Sequence, residues 1–457
     1  MTLPHLLRPC SQRKRLWQLS VLMALVFATF VGGNFYVAPD KAVNWRMMGL
    51  DFLPFYTAGT FAREGRTADL YELPIVADSE RRIAQAEGLE IDIDFAAQNF
   101  GPWWNPPFYA WAFAPLSMLS FHHALLVWTG LNLVALAAAI WMLIRLLPGR
   151  NDGKIDWRSA ALVPLLVITS MPLIQAISHG QNTCISLALL CAIVTFWRNN
   201  QAWRAGACCA LLAYKPQLAA VVACVLVASQ GWKAMAGLSF VGSILLLATQ
   251  LLMPGALIDY LHRLPANVYY MQVAHDYLWE RHATLKAFWR LLIQGRSAGE
   301  LHLTAQIAFL TSTFIVGGLL VRSVWSHVRG GGWSTLSERV WRDRLIAATI
   351  TAAPLLMPFY FDYDLLLLAI PAVLLAGEQL ASDQVTRASR WLSRAWMALY
   401  ASMLINLHVT NVTGLSMNVL LLLSVAVLMI VRARRTAGVS PAGRIDADAF
   451  TITSRAA

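Results

Sequence analysis

The 457-residue sequence contains little charge, since Asp, Glu, Lys and Arg together supply only 13% of it. Ordinary soluble domains carry about 25%, roughly twice this share. Hydrophobic residues make up 58% and come in uninterrupted runs, which excludes a disordered chain and a solenoid of polar repeats. The length accommodates about a dozen bilayer spans of ~20 residues with their loops. The composition therefore predicts an all-α, polytopic integral membrane protein.

The sequence is also poor in cysteine, with six in all. None lies in a CxxC pair or a Cys/His array, and five fall within apolar runs: Cys184, Cys191, Cys208, Cys209 and Cys224. This pattern excludes a secreted disulfide scaffold and predicts no metal site of the zinc type. The sequence has no P-loop glycine run, no HExxH and no GxSxG, so no motif supports ATP-driven transport or zinc chemistry.

Basic residues outnumber acidic ones by 36 to 25, a net charge of +11. They flank the apolar runs, at 13–15 before the first run and at Arg432, Arg434 and Arg435 after the last. Positive charge beside membrane spans marks the cytoplasmic side. Topology therefore explains the excess better than a nucleic-acid partner, and both termini are expected in the cytoplasm.

The apolar runs and polar stretches predict five regions. They are a cytoplasmic N-terminus at 1–16, a membrane module at 17–253 that includes an outer loop at 39–103, a second outer loop at 254–302, C-terminal membrane helices at 303–431, and a disordered cytoplasmic tail at 432–457. Both outer loops are expected to contain short helices, at 72–87 and 283–293. Helices that lie in the membrane interface and helices packed on the spans both fit these two patterns.

The number of spans depends on two segments. Counting every apolar run as a crossing gives twelve spans but places several basic residues outside. Ten spans result if 104–120 is re-entrant and 203–229 is broken at Lys215-Pro216, since proline ends a helix and such breaks occur where backbone lines a cavity.

Two ionisable residues stand out in apolar surroundings. Asp51 follows the first span, where a carboxylate can act as a general base or as a helix N-cap. Lys215 lies inside the apolar run 203–229 and is followed by Gln217. A lysine at membrane depth needs a partner and marks a functional candidate, and a compact ammonium binds phosphate well.

Three further polar positions have an open interpretation. Asn105 precedes two prolines where the chain returns to the membrane, in a site that suits either a sugar or an interfacial anchor. The segment 178–182 contains His179, Gln181 and Asn182 and suits either a polar pocket or a connecting turn. Arg281 and His282 precede an amphipathic helix, where an anion would be favoured, although a lone histidine is more often structural.

The order of these motifs resembles glycosyltransferase family 87, polytopic enzymes of the GT-C superfamily. The resemblance runs from Asp51 to about Arg290. It rests on Asp51-Phe52 with Tyr56 and Ala58, Leu70-Tyr71-Glu72, Asn105-Pro106-Pro107, Gly180-Gln181-Asn182, Ala205-Gly206, Lys215-Pro216 and His282. The chain departs from the commoner Tyr-Pro-Pro at Asn105, and it has Arg281-His282-Ala283-Thr284 where an Asn/Ser-rich turn is usual. These departures leave the identity of donor and acceptor open.

The resemblance implies transfer of a hexose, often mannose, from a polyprenyl-phosphate sugar to a lipid or polysaccharide acceptor. The reaction would take place at the outer face of a bacterial plasma membrane, by an inverting displacement. Asp51 matches the catalytic base, and His282 matches a histidine that related mannosyltransferases use. Lys215 and Arg281 are the candidates for the donor phosphate. Candidates for sugar or acceptor are Tyr56, Asn105, His179, Gln181, Asn182 and Gln217.

The implied partners are membrane lipid, the lipid-linked donor and a glycolipid or glycan acceptor. No cofactor is needed because the sugar is already on the lipid, whereas divalent metal dependence stays open. The alternative function is a transporter or flippase of a lipid-linked sugar that binds at the broken helix near Lys215. The enzyme hypothesis requires Asp51, Lys215 and His282 to meet at one cavity on the outer side.

Overall fold

The computed structural model describes residues 9–34, 48–148, 156–329, 336–381 and 386–434. Within these ranges the regular structure is helical, and strand pairing is limited to two isolated bridges. The predicted all-α fold is therefore confirmed. Residues 1–8 and 435–457, which include most of the predicted cytoplasmic tail, lie outside the described residues. The predicted region boundaries stay predictions.

Seventeen α-helices are present in the described part of the chain. They are α1 Pro9–Asn34, α2 Leu53–Arg63, α3 Leu73–Glu87, α4 Phe121–Leu146, α5 Trp157–Ile168, α6 Met171–His179, α7 Thr183–Arg198, α8 Ala202–Leu211, α9 Pro216–Gln230, α10 Trp232–Leu252, α11 Ala256–Gln272, α12 Leu285–Ile293, α13 Leu303–Arg329, α14 Leu336–Leu356, α15 Ala369–Ala381, α16 Arg387–Thr413 and α17 Met417–Ala433.

Several of these helices have the length and apolar composition of membrane spans. Among the residues described, α4, α10, α13 and the helical stretch Asp362–Ala381 can each cross a bilayer. The helices α5 and α6 meet at 48° and would form a fifth span as one bent unit, while α7, α9 and α17 are shorter apolar helices. The protein is thus a polytopic membrane protein. Its predicted ten to twelve spans stay a prediction.

The structure contains both features that the ten-span arrangement requires. The segment 104–120 forms short 3-10 turns, Pro107–Phe113 and Leu116–Met118, rather than a continuous α-helix. The segment 203–229 is divided into α8 and α9 by a 3-10 turn at Leu212–Tyr214, and α9 begins at Pro216. Proline fits this first helical position because its missing N–H has no intrahelical partner there.

The two helices predicted in the outer loops are present as α3 and α12. The helix α3 packs against α2 with Val76, Glu80 and Ala84 buried, while Arg81 and Arg82 lie on its exposed side and pair with Asp78. The helix α12 packs against α13. Both helices are therefore packed on neighbouring elements of the protein.

A cluster of aromatic rings joins the first outer loop to the membrane helices. Phe52 is fully buried and stacks on Trp128 of α4, with ring centroids 5.9 Å apart. Phe55 stacks on Phe113 of the returning segment at 4.9 Å. These contacts fix the start of α2, and hence the neighbouring Asp51, against α4.

The helices α8 and α10 approach closely through two glycines. A Cβ atom on Gly206 would lie 1.9 Å from the carbonyl oxygen of Ala234, and one on Gly237 would lie 2.0 Å from that of Trp203. Neither position therefore accepts a side chain unless the helices separate. Small residues that allow backbones to approach are typical of helix pairs in membranes.

We predict that Gly206→Ala destabilises the protein, because the added methyl group meets backbone rather than a movable side chain. The expected loss is about 1–3 kcal/mol, the usual cost of overpacking. The measurement is unfolding of the purified protein in detergent. Gly242→Ala on α10 is the matched control, since a Cβ there meets nothing within 4 Å. Equal stability of the two variants would contradict the close helix contact.

Candidate active site

Asp51 lies in a short 3-10 turn, Leu50–Phe52, that is attached to the end of α6. Gly49 before it has a positive φ of 75°, a conformation that favours glycine, and its N–H donates a 2.7 Å hydrogen bond to the carbonyl of Ser178. The helix α2 has Phe52 at its N-cap position and no side-chain cap. Asp51 therefore does not cap this helix, and its side chain is 35% exposed.

Two predicted site residues contact the Asp51 carboxylate. The side-chain amide of Gln181 donates a 2.9 Å hydrogen bond to Oδ2. Nδ1 of His179 lies 3.8 Å from the same oxygen. The second oxygen, Oδ1, is left for another partner. The structure thus brings three predicted residues together at one carboxylate.

The turn between α6 and α7, residues 178–183, carries these contacts. Gly180 ends α6 with a φ of 73°, and a Cβ there would lie 3.0 Å from the Cα of Gly49. Its carbonyl accepts a 2.8 Å hydrogen bond from the indole of Trp128. The next residues extend the network, since Asn182 donates to the Tyr109 hydroxyl at 3.0 Å. The turn therefore connects Asp51, α4 and the segment that follows Asn105.

Lys215 has the partner that its position required. Its ammonium lies 3.0 and 3.2 Å from the two carboxylate oxygens of Asp364, and both side chains are buried. The Thr183 hydroxyl donates a further 3.0 Å hydrogen bond to Asp364. Because the charge of Lys215 is already neutralised in this pair, its predicted contact with a phosphate has no support from the geometry and stays a prediction.

The segment around Asn105 is held by tyrosines. Tyr71 donates a 2.9 Å hydrogen bond to the carbonyl of Asn105. Tyr109, four residues further on, stacks on Tyr214 with ring centroids 4.4 Å apart. Tyr214 directly precedes Lys215, so the returning outer segment and the helix break pack on each other.

Arg281 is paired with a carboxylate that is close to Asp51. Its guanidinium donates to both oxygens of Asp362, at 3.2 and 3.4 Å, and Gln175 donates to the same carboxylate at 2.9 Å. Burial alone lowers the pKa of Arg281, but the negative charges of Asp362 and Asp51 more than offset this and raise the pKa above its ordinary value. Arg281 therefore remains a cation within electrostatic reach of Asp51.

His282 is a buried, uncharged imidazole. Its ring lies 4.2 Å from the ring of Phe361, and Nε2 is 3.2 Å from the Tyr277 hydroxyl. Its pKa is lowered to about 3, mainly by burial and in part by the positive charges of Arg281 and Lys286. Nδ1 has no hydrogen-bond partner among the residues described. His282 can therefore donate or accept a hydrogen bond but does not supply a charge at neutral pH.

Lys286 is a cation that sequence reasoning missed. Its ammonium lies over the rings of Phe359 and Trp279, 4.7 and 5.2 Å from their centroids. Its pKa is lowered to about 8, mainly by burial and in part by the positive charge of the neighbouring Arg290. The sequence does contain a sign that Lys286 is unusual. It lies in the first turn of α12, after the capping residue Thr284, where the helix dipole disfavours a cation.

The remaining candidates are less closely connected. Tyr56 is buried and donates to the carbonyl of Leu119 at 2.7 Å. Gln217 is the second residue of α9 and makes no hydrogen bond to another candidate among the described residues. Sequence reasoning also missed the pairing of Asp362 and Asp364 with Arg281 and Lys215.

A continuous series of contacts links the predicted residues. It runs from Asp51 to Gln181, along the turn to Thr183, and through Asp364 to Lys215. Asp362 lies two residues from Asp364 and pairs with Arg281, which precedes His282. In the described part of the chain, no group of three or more His, Cys, Asp or Glu residues is arranged to hold a metal ion. The arrangement places the Asp51 carboxylate within electrostatic reach of the Arg281 guanidinium.

These features belong to a polytopic membrane protein in which hydrogen bonds and ion pairs link ionisable groups from distant segments of the chain. The model of glycosyltransferase family 87 matches residues 103–337, which is just over half of the chain. The chain belongs to this family and is a membrane glycosyltransferase. The match includes Asn105, the 178–183 turn, Lys215 and Arg281, whereas Asp51 precedes it. In comparisons with curated proteins and with solved structures, nothing matches the chain.

We predict that the Lys215–Asp364 pair is required for stability and that its two members are coupled. Lys215→Met or Asp364→Asn alone leaves one buried charge without its partner, which costs about 3–5 kcal/mol. The double variant is expected to lose less than the sum of the two. The measurement is a double-mutant cycle of unfolding in detergent, with the exposed pair Arg81–Asp78 as the control, worth about 1 kcal/mol or less. Strictly additive losses at 215 and 364 would argue against direct coupling.

Proposed function

We propose that the protein transfers a hexose, with mannose the first candidate, from a polyprenyl-phosphate donor to a glycolipid or polysaccharide acceptor. The observation that carries this proposal is the partly exposed Asp51 carboxylate, held by Gln181 and close to the cation of Arg281, in a member of glycosyltransferase family 87. A carboxylate within electrostatic reach of a cation suits a displacement with an anionic leaving group.

In the proposed reaction, Asp51 takes the proton of the acceptor hydroxyl. The acceptor oxygen forms a bond to C1 of the sugar while the bond between C1 and the phosphate oxygen breaks. Polyprenyl phosphate leaves with the electron pair, and the anomeric centre is inverted by this single displacement. The hydrogen bond from Gln181 to Oδ2 orients the carboxylate and leaves Oδ1 for the proton.

The leaving phosphate needs a cation, and the site supports Arg281 for this role. A planar guanidinium presents five N–H donors, so Arg281 can keep Asp362 and still bind a phosphate oxygen. Lys286 is a second candidate because aromatic rings rather than a carboxylate hold its ammonium. Neutral His282 would add a hydrogen bond as charge develops. Lys215, already paired with Asp364, would support the site from within the helices.

The sugar and the acceptor would lie against the 178–183 turn. Gln181 and His179 are the best supported contacts because both already lie at the Asp51 carboxylate. Asn182 is engaged with Tyr109, and Asn105 is held by its backbone. We propose that the site faces the periplasm or exterior of a bacterial plasma membrane, as the basic flanks of the first and last apolar runs indicate. The site needs no cofactor in this scheme.

We predict that Asp51→Asn abolishes transfer while protein level and membrane insertion stay normal. The amide cannot accept the acceptor proton, and loss of a general base costs about 10²–10⁴ in kcat. The measurement is transfer of radiolabelled hexose from a polyprenyl-phosphate donor in membranes that contain each variant. Asp92→Asn, an exposed position in the same outer loop, is the control. Turnover at the wild-type rate in Asp51→Asn would remove Asp51 from the mechanism.

The broken helix at Lys215 is the one feature that favours the alternative, a flippase or transporter of a lipid-linked sugar. We predict that the purified protein in detergent transfers sugar to acceptor without any sealed compartment. A flippase requires two separate leaflets and produces no new glycosidic bond. Donor movement across vesicles without product would therefore favour the alternative. A parallel reaction with a chelator tests whether transfer depends on a divalent metal.

A further inference from the structure

Glu80 is a buried carboxyl group that the proposed reaction does not use. It lies on α3 in the first outer loop, with 0% of its surface exposed. Oε2 accepts a 2.9 Å hydrogen bond from the N–H of Gly101. Oε1 is buried and has no hydrogen-bond partner within the described residues. No Lys or Arg of the described chain pairs with this carboxyl group.

Glu80 lies directly behind the segment that carries Asp51. A Cβ on Gly101 would lie 2.2 Å from Cγ of Pro54 and 3.3 Å from Oε1 of Glu80. Pro54 stands in the first turn of α2, three residues after Asp51. Glu80, Gly101 and Pro54 therefore form one tight contact that joins α3, the returning segment and the start of α2.

Asp51 interacts electrostatically with Glu80, and its negative charge raises the pKa of Glu80. The helix α3 packs against α2, the 3-10 turn Thr67–Tyr71 and the start of α4. Titratable side chains on these elements form hydrogen bonds or ion pairs with partners other than Glu80. These contacts are Arg63 with the carbonyl of Ser117, Arg66 with Asp69, Tyr56 with the carbonyl of Leu119, Tyr71 with the carbonyl of Asn105, and His123 with Ser120.

These surroundings favour the uncharged form of Glu80. The pKa of Glu80 is raised to about 8, mainly by burial and in part by the negative charge of Asp51, while the N–H of Gly101 acts in the opposite direction. An ionised Glu80 would place a second, unpaired charge in a dry position beside the base.

We propose that Glu80, as an uncharged carboxylic acid, is a positioning residue that holds Asp51 in place through Gly101 and Pro54. This inference rests on the proposed function. The neutral acid supplies the acceptor for the Gly101 N–H without adding negative charge near an incoming phosphate. Ionisation would add a negative charge that repels both Asp51 and the donor.

The proposal predicts an alkaline limit on activity. Transfer by the wild type should fall several-fold as the pH rises through about 8, the pKa of Glu80. Glu80→Gln has the same shape, remains uncharged and still accepts from Gly101, so it should keep the rate at pH 6.5 and lose this alkaline decline. Glu80→Ala lacks the acceptor and should lower kcat at every pH. Asp78→Asn, on the exposed side of α3, is the matched control and should behave as wild type.

A stability measurement tests the same group independently of the reaction. The ordinary pKa of 4.5 applies in the unfolded chain, and the native pKa is higher. The native state therefore holds a proton that the unfolded chain has lost, so wild-type stability falls as the pH rises from about 4.5 to about 8. The Tm of Glu80→Gln should exceed that of the wild type by a margin that widens over this range and is constant above it.

The outcomes separate this inference from the proposed function. If Glu80→Gln is inactive at pH 6.5, or keeps the alkaline decline of the wild type, the positioning role of a neutral Glu80 is overturned. A Tm difference that does not change with pH would also overturn it. If the wild type itself transfers no sugar, the proposed function fails, and the Tm series still decides whether Glu80 is uncharged.

Discussion

The N–H of Gly49 donates a hydrogen bond to the carbonyl of Ser178, and the arrangement of the site depends on this junction. It joins the first outer loop to the end of α6. Gly49 and Gly180 both have positive φ, and their backbones approach so closely that a Cβ on Gly180 would lie 3.0 Å from the Cα of Gly49. A side chain at either position would strain the backbone and push the two segments apart. Because Asp51 lies two residues after Gly49 and Gln181 directly follows Gly180, the same contact brings the Asp51 carboxylate to its hydrogen-bond donor.

A second constraint comes from the charges within the helices. Lys215 interrupts an apolar run, where an unpaired ammonium would be costly. Asp364 supplies the opposite charge, and Thr183 satisfies part of the remaining hydrogen-bonding capacity of that carboxylate. The pair therefore ties the break between α8 and α9 to the start of α7 and to the segment before α15. Removal of one member would loosen three elements that meet beside the site, which explains why a buried ion pair can be retained although it is a weak source of stability.

The sequence predicted those features that local chemistry determines. Proline at 216 predicts the helix break, the amphipathic pattern predicts α3 and α12, and the isolated lysine at 215 predicts that a partner exists. The identity of that partner was not predictable, because Asp364 lies 149 residues away along the chain and only the packing of α7 against the 362–368 turn brings it near. Glu80 was missed for a related reason. Its charge is typical of an exposed helix face, and its burial depends on Gly101 and Pro54, which reach it only in the folded protein.

The proposed function requires the site to bind an anionic donor and to keep a carboxylate base, and the charges near Asp51 are compatible with both. His282 is uncharged at neutral pH because burial lowers its pKa, whereas the ion pair of Arg281 with Asp362 lies within electrostatic reach of Asp51. The hydrogen bonds of this pair are 3.2 and 3.4 Å long, whereas strong charge-assisted bonds are about 2.7–2.9 Å. The guanidinium also has N–H groups that Asp362 does not use. In the proposed reaction, a phosphate would bind these N–H groups while Asp51 takes up a proton. The two anions of that reaction would then be separated by one cation, and the proposed neutral form of Glu80 would add no further negative charge beside them.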